Sequence, residues 1–524
     1  MRITTTSYRK AAAHHAVFVA AFQDAALERD PVIAALPAPA RATLLRFARE
    51  QFKGEDGEIK HLWHAAGAQS RIVALFGLGD RRAWHARKAP IIPRRMVRWA
   101  KSQKITGFAT HIAAGDARQF ATNAIMANFE YTPYKTPPAT GWPAVTGIAL
   151  AVADADSAAA AGEIAAGTIV GEEVNATRTL ANTPGSDMTP RLLADAARAA
   201  ARAAGMRATI LDKKAIMRLG MGGVMGVARG SSEDPRFIIL EYRRGPASQK
   251  PLALVGKGVT FDTGGINLKP EQYMYEMHMD MSGGAAVIHG MAAIARLRLP
   301  INVVGIVPAV ENMPSGSSYR PGDLLRSLSG KTIEVLNTDA EGRVILADGL
   351  AYALRYKPGF IADFATLTSA AHVALGNYCS ALFTNRDYIG GQLADIGMAS
   401  GDYVWPLPLW DEYLPEIKGT FGDIANMAKN DRYGGAIHGA KFLEQFVDNA
   451  PWAHIDIAPR MTSVESDSLA RGASGAGVRY IVELARRYPE LRALIAATDI
   501  APDKMTAAPR KGPGRKRAPI KNTR

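Results

Sequence analysis

Residues Asn337-Thr338-Asp339-Ala340-Glu341-Gly342-Arg343 set two carboxylates and a guanidinium between an apolar run, Thr332 to Leu336, and a stretch whose apolar residues recur at 344, 347, 350, 351 and 354. The run reads as a buried strand and the stretch, Val344 to Tyr356, as a helix. A charged strand-to-helix turn is where ligands collect in an open α/β sheet, at the carboxyl ends of strands. A plain helix start also favours Asp and Glu, through capping and the helix dipole, so this turn alone leaves both readings open.

The rest of the chain repeats the alternation. Leu252 to Val255, Asn302 to Val307, Phe360 to Phe364 and Ala453 to Ile457 read as strands, and Ala285 to Arg298 and Gly439 to Asn449 as helices. That order predicts an α/β fold with a central mixed, mostly parallel sheet flanked by helices on both faces. A smaller N-terminal α/β domain is expected over residues 1–155, with a helix Pro39 to Gln51 and strands Arg71 to Phe76 and Gly147 to Val152. An alanine-rich run predicts a connecting helix over 156–180, and Thr189-Pro190 an N-cap and first-turn pair that opens a second domain over 181–495.

At 524 residues, with 48% hydrophobic and 21% charged content, the chain has material for a large core and for more than one domain. Its single cysteine, Cys379, excludes an internal disulfide and points to a reducing compartment; it reads as a buried thiol. Arg2, Arg9 and Lys10 ahead of Ala11 to Phe22 imitate a secretory leader, but His14 and His15 interrupt the apolar run and Asp24 and Glu28 follow it. Nothing else approaches the ~20 uncharged apolar residues of a membrane span.

Three other features have bland explanations. His61 and His64, spaced to share a helix face, lack a third ligand and read as a packed or solvated pair. Arg81 to Lys104 is basic with Trp84 and Trp99 interleaved, which suits nucleic acid but equally a solvated helical face over a packed tryptophan. Ala501 to Arg524 carries eight Lys or Arg against Asp503 alone, and four prolines, so 496–524 is expected to be a disordered basic tail open to nonspecific nucleic-acid contact.

A second charged cluster lies upstream, Lys257-Gly-Val-Thr-Phe-Asp262-Thr-Gly-Gly-Ile-Asn-Leu-Lys269, followed by Asp280 in Met277-His-Met-Asp280. Two divalent ions ~3.5 to 4 Å apart need several anionic oxygens, at least one of them bridging. Asp262, Asp280, Asp339 and Glu341 supply that set. A protonated lysine beside such ions would repel them, so each lysine must either donate a neutral nitrogen or stand back to meet substrate oxygen.

Together these three segments resemble the leucine aminopeptidase family, two-metal cytosolic exopeptidases. The resemblance covers about residues 165 to 485 and includes Gly220 to Arg243 and Gly472 to Arg479; Phe129 to Lys135 is similar to a segment of the family's N-terminal domain. It implies that Lys257 and Asp280 ligate one metal, that Asp262 and Glu341 bridge, and that Asp339 ligates the other. It further implies that Lys269 stabilises the oxyanion and that Arg343 holds a bicarbonate that relays a proton. The activity implied is removal of N-terminal, mostly uncharged, residues from peptides by a metal-bridged water attacking the scissile carbonyl. Zn2+ or Mn2+ would be the metals, and a cytoplasmic homohexamer the assembly.

The resemblance also assigns substrate contact to Asn337 and a pocket for the N-terminal side chain to Met277, Thr366, Ser369, Ala458 and Met461. Glycine is usual in the family where this chain has Ser369, so a smaller or more polar pocket is expected. His278 reads as packed or supporting rather than ligating. Ser329-Gly-Lys331-Thr332 imitates a phosphate loop but lacks its first glycine and the following helix. A two-metal phosphoesterase is the rival enzyme, and a nucleic-acid-binding protein with a vestigial site the rival class, since some family members also bind DNA.

Overall fold

The computed structural model describes residues 1–66, 69–430 and 433–499. Near the N-terminus, six strands form one sheet in the order Arg2–Thr6, Gly147–Ala151, Gly107–His111, Ala16–Ala21, Gln69–Gly77 and Ile59–Ala66. All neighbours are parallel except the last pair. The run Ala11 to Phe22 that imitates a leader is divided between the helix Tyr8–Ala12 and the strand Ala16–Ala21 inside this sheet. Successive side chains of a strand face opposite ways, so Phe18 packs on Phe76, Trp99 and Phe108 while Val17 and Val19 enter the core on the other face.

Two expectations for this region are corrected. His61 and His64 lie on the strand Ile59–Ala66, not on a helix. The basic segment 81–104 is not one solvated helical face. It forms two short turns and the helix Ile91–Ser102, in which Arg94 and Lys101 are buried and paired. Arg94 donates to Asn123 at 2.9 Å and to the carbonyl of Asp467 at 3.0 Å, and Lys101 meets Glu130 at 2.7 Å. Trp84 and Trp99 do pack beneath it, on Phe22 and on Phe18 and Phe76.

The helix Ser157–Asn182, 26 residues long, links the two halves. It lies against the helix Ala117–Asn128 so closely that a Cβ at Gly167 would stand 2.3 Å from the Arg118 carbonyl, and one at Gly171 2.7 Å from Ile125. Arg178 on this helix is fully buried. Its guanidinium donates to the carbonyls of Met126, Ala470 and Ala473, each at 2.9 Å, and sits 4.4 Å above the Phe129 ring. One side chain thus ties the N-terminal half, the linking helix and a loop of the second half together.

The second half holds a nine-stranded mixed sheet. Its main path runs Val404–Pro406, Ser380–Thr384, Trp452–Asp456, Phe360–Ala365, Leu252–Gly256, Asn302–Asn312, Arg236–Arg243 and Arg207–Leu211, and Gly258–Asp262 pairs with Asn302–Asn312. With both faces covered, Leu252–Gly256 is continuously apolar, and the neighbouring strands bury a few polar residues, Asp363, His454 and Asp456, among apolar ones. Leu252 and Leu254 join Phe360 and Phe364 under the helices Ser282–Arg296 and Val478–Asp499, while Ala253 and Val255 join Ile361 under Glu341–Ala353 and Gly435–Glu444. Thr189 caps the helix Pro190–Ala204 by accepting from Leu192 N–H.

Three boundaries differ from the sequence reading. The strand before the charged turn is only Thr332–Glu334, and it belongs to a separate three-stranded sheet with Leu324–Arg326 and Ile424–Ala425. The last helix continues to Asp499, so residues 496–499 are helical; the basic stretch beyond them lies outside the described residues. The helix expected over Gly439 to Asn449 is Gly435–Glu444, and Asp448 and Asn449 take positive φ beyond it. Among the described residues, no helix is long and apolar enough to cross a membrane.

Replacing Arg178 with Met leaves three buried carbonyls without their donor. Stability to urea should fall by on the order of 3 kcal/mol; a change within about 0.5 kcal/mol would show that the guanidinium does not join the two halves.

Candidate metal centre

The centre forms where the strands Leu252–Gly256 and Gly258–Asp262 end beside the start of the helix Glu341–Ala353. Lys257 leaves the first of these strands, and its main-chain N–H bonds the Phe364 carbonyl at 3.0 Å on the neighbouring strand. Its ammonium is buried, 2.8 Å from Asp280 Oδ2 and 2.8 Å from Glu341 Oε1, and donates to the Thr366 carbonyl at 2.9 Å. Gly342 is required beside it, because a Cβ there would stand 2.6 Å from the Lys257 chain.

Asp262 ends the second strand. Its Oδ1 accepts from Gly264 N–H at 2.9 Å and Asn312 Nδ2 at 2.8 Å, leaving Oδ2 to face Lys269 Nζ at 2.9 Å. Lys269 also reaches Asp339 Oδ1 at 2.5 Å. Gly264 and Gly265 take positive φ in the turn that returns Lys269 to the site; a Cβ at Gly265 would stand 2.8 Å from Asn312 Oδ1. Asp280 accepts from the Thr366 hydroxyl at 2.6 Å.

Asp262, Asp280 and Glu341 are buried and each offers an oxygen within 4.8 Å of the others, a spacing that one cation can span. Asp339 is half-buried and stands outside that trio, joined to it through Lys269. Arg343, one residue pair into the helix, is buried; its Nη1 donates to the Asn426 carbonyl at 2.9 Å while its Nε has no hydrogen-bond partner.

The electrostatics show what the cluster lacks. Burial raises the Asp280 carboxyl well above the usual range, and Glu341 and Asp262 push it further, against Lys257. Burial, then Asp262 and Glu341, bring Asp339 to about 7 against the pull of Lys269. Both lysines are shifted upward, because the surrounding carboxylates outweigh the burial that would lower them. Arg343 is lowered to about 10, chiefly by burial.

Asp280 Oδ2 and Glu341 Oε1 meet the Lys257 ammonium, each at 2.8 Å, and Asp339 Oδ1 meets that of Lys269 at 2.5 Å, so lysine charge alone offsets these carboxylates. Buried carboxylate oxygens crowded within 4.8 Å of one another fit hard divalent cations, which take oxygen ligands. Lys257 occupies the place of positive charge between Asp280 and Glu341, and ligation through its nitrogen requires that it lose its proton.

The pocket residues are placed unevenly. Thr366 is part of the centre through both its hydroxyl and its carbonyl. Met277, in the turn that leads to Asp280, is half-buried, as are Ala458 and Met461; Ser369 is exposed at the start of the helix Ser369–Leu375. Asn337 spends its carboxamide oxygen on Asp339 N–H, at 2.8 Å, as a turn former. His278 is half-buried, with its basicity lowered by burial, and Cys379 is half-buried rather than buried.

Sequence reasoning missed the polar frame behind the carboxylates. Asn312 bonds Asp262 and the Thr338 carbonyl, which also accepts from the Tyr319 hydroxyl at 2.6 Å. Thr338 Oγ1 donates to the Gly264 carbonyl at 2.6 Å, and Asn426 bonds the main chain of Leu336 and Asn337 as well as Arg343. Only Asn312, a polar end to an apolar strand, left a readable signal.

Residues 175–482 match the family model described as "Cytosol aminopeptidase family, catalytic domain", and residues 18–138 match the model of its N-terminal domain. The chain belongs to the cytosol aminopeptidase family. Membership makes it a hydrolase of the aminopeptidase type.

Two relatives, both named "Probable cytosol aminopeptidase", illustrate the range. The protein from Syntrophotalea carbinolica is 51% identical over 60% of this chain, a match spanning 63% of that relative's length. The protein from Geobacter sulfurreducens is 39% identical over 83% of this chain and 88% of its own. A solved structure titled "Bottromycin maturation enzyme BotP in complex with Mn" superposes with a TM-score of 0.78 at 31% identity, covering 90% of this chain and 99% of its own.

The raised carboxyl pKa values have a consequence for stability. Above the ordinary carboxylate range the unfolded chain gives up protons that the metal-free fold retains at Asp280 and Asp339. Metal-free stability therefore falls as pH rises from ~4 to ~7. The apparent Tm with chelator should drop between pH 5 and pH 7.5 more steeply than with Mn2+ added; equal slopes would contradict the overcrowding.

Proposed function

We propose that this chain is a metal-dependent aminopeptidase that removes N-terminal, mostly uncharged or apolar, residues from peptides by attack of water on the scissile carbonyl. The observation that carries the reading is the convergence of Lys257, Asp262, Lys269, Asp280, Asp339, Glu341 and Arg343, with buried carboxylates crowded within 4.8 Å of one another. Asp262, Asp280, Asp339 and Glu341, with a deprotonated Lys257, would hold two divalent ions, of which Zn2+ and Mn2+ suit the donors. When bound, such ions supply Lewis-acid polarisation of a carbonyl and lower the pKa of water.

The chain's own groups do the rest. A free α-amino group in its neutral form would be a further nitrogen donor at the site these residues make, which an acylated N-terminus lacks, and this favours cleavage at an N-terminus. Lys269, mostly buried and kept protonated by its carboxylate neighbours, donates to the carbonyl oxygen as charge develops there. Arg343, buried and with a free Nε–H, offers an anion site for bicarbonate, which would move the proton from the attacking water to the leaving amine. Thr366, Ala458, Met277 and Met461 would line the side-chain pocket, and Ser369 would narrow its mouth or make it polar. No nucleophilic side chain is needed.

By resemblance the proposal extends to a cytoplasmic homohexamer. The basic stretch Ala501 to Arg524 adds a nonspecific contact for nucleic acid.

Amino-acid release from free and N-acetylated peptides, after chelation and readdition of Mn2+ or Zn2+, tests the reading. Only free N-termini should be trimmed, only with metal, and Glu341→Ala should lower kcat/KM by at least about 10³-fold. Trimming of acetylated peptides, or none by the metal-loaded wild type, would overturn it.

A further inference from the structure

Beside the proposed pocket lies a buried carboxylate, Asp456, close enough for its charge to favour protonated Arg343, that none of these roles uses. It ends the strand Trp452–Asp456 and is fully enclosed. Burying a carboxylate is unfavourable unless its oxygens are satisfied, and here donors from just two segments satisfy them. Oδ1 accepts from Leu367 N–H at 3.0 Å and from Ala458 N–H at 3.1 Å, and Oδ2 accepts from the Thr368 hydroxyl at 2.7 Å. The Thr368 hydroxyl is at the same time the cap of the next helix, accepting from Ala371 N–H at 3.1 Å.

Those two segments are the walls of the proposed pocket. Leu367 and Thr368 lie between Thr366, which holds Lys257 and Asp280, and Ser369; Ala458 is the facing wall. The Ile457 N–H bond to the Ala365 carbonyl, at 2.8 Å, joins the same two segments at their base. Behind Asp456 the buried His454 is fixed by Asp363, at 2.6 Å, and stacks on Phe383, so the strand end has little freedom to shift.

We propose that Asp456 is a positioning residue that sets the gap between residues 366–369 and 458–461, and with it the selection among N-terminal side chains. The proposal rests on the aminopeptidase reading. Asp456→Asn keeps the size but provides one acceptor oxygen where two are used, and an amide N–H₂ turned toward Thr368 leaves that hydroxyl's proton without its acceptor. Residues 367–369 and 458–461 then part or slide, while Thr366 keeps its bonds to Lys257 and Asp280 and the cation ligands stay in place.

The test is kcat/KM for a series of N-terminal residues, Gly, Ala, Val, Leu and Phe, on one leaving group, measured for metal-loaded wild type and Asp456→Asn. Calorimetric affinities for free leucine and free glycine, and bound-metal content, are measured alongside. Asp456→Asn should change the leucine-to-glycine ratio by about tenfold in both kinetics and binding, with metal content unchanged. Thr368→Val should shift the ratio the same way and Thr368→Ser should restore it. Loss by one common factor across the series, from an active wild type, overturns the proposal alone. A metal-loaded wild type that trims nothing overturns the aminopeptidase reading, and the proposal falls with it.

Discussion

Four carboxylates held together in a largely dry interior repel one another, and the rest of the second half is built to keep them there. Two ammonium groups offset part of that repulsion, and Asp280 and Asp339 offset more by holding protons that ordinary carboxyls release. Polar partners behind the site hold the geometry against the strain, with Asn312 on Asp262, Thr366 on Asp280 and Asn337 on the Asp339 turn. The scaffold under them is stiff, a sheet apolar on both faces with helices packed on each side. In the proposed metal-dependent reading, such an arrangement is unfavourable without metal and would become favourable once divalent charge entered.

The same construction explains the division of labour along the chain. Strand ends deliver Lys257 and Asp262, a glycine turn returns Lys269, a short turn before a helix delivers Asp280, and a helix start delivers Glu341 and Arg343. Each comes from the end of an element rather than its middle, so the backbone that carries it is fixed while its side chain reaches inward. The walls proposed for the pocket follow the same rule, since Thr366 and Ala458 both lie just past strands that run parallel.

Much of this was legible in the sequence because charge in an apolar context is rare. Lys257, Asp262, Asp280 and Glu341 stand out from buried strands and helix starts, and the structure brings them together. The period of apolar residues located the central strands as well. It failed at Thr332 to Leu336, where a short apolar run looks the same whether it joins the large sheet or a three-stranded one. It also failed at His61 and His64, because a spacing of three carries information only once helix or strand is known. Asn426, Tyr319 and Asp456 left no signal at all: apart from Ala458 beside Asp456, the partners that define their roles lie 19 to 90 residues away.

The crowded carboxylates are proposed as a site for two divalent cations. Equilibrium dialysis of the chelated protein against Mn2+, with the metal counted per chain and the proton release measured in the same titration, tests it most directly. The account predicts two ions per chain, with protons released as Asp280, Asp339 and Lys257 give them up. One ion or none at saturation, or binding without proton release, would contradict it.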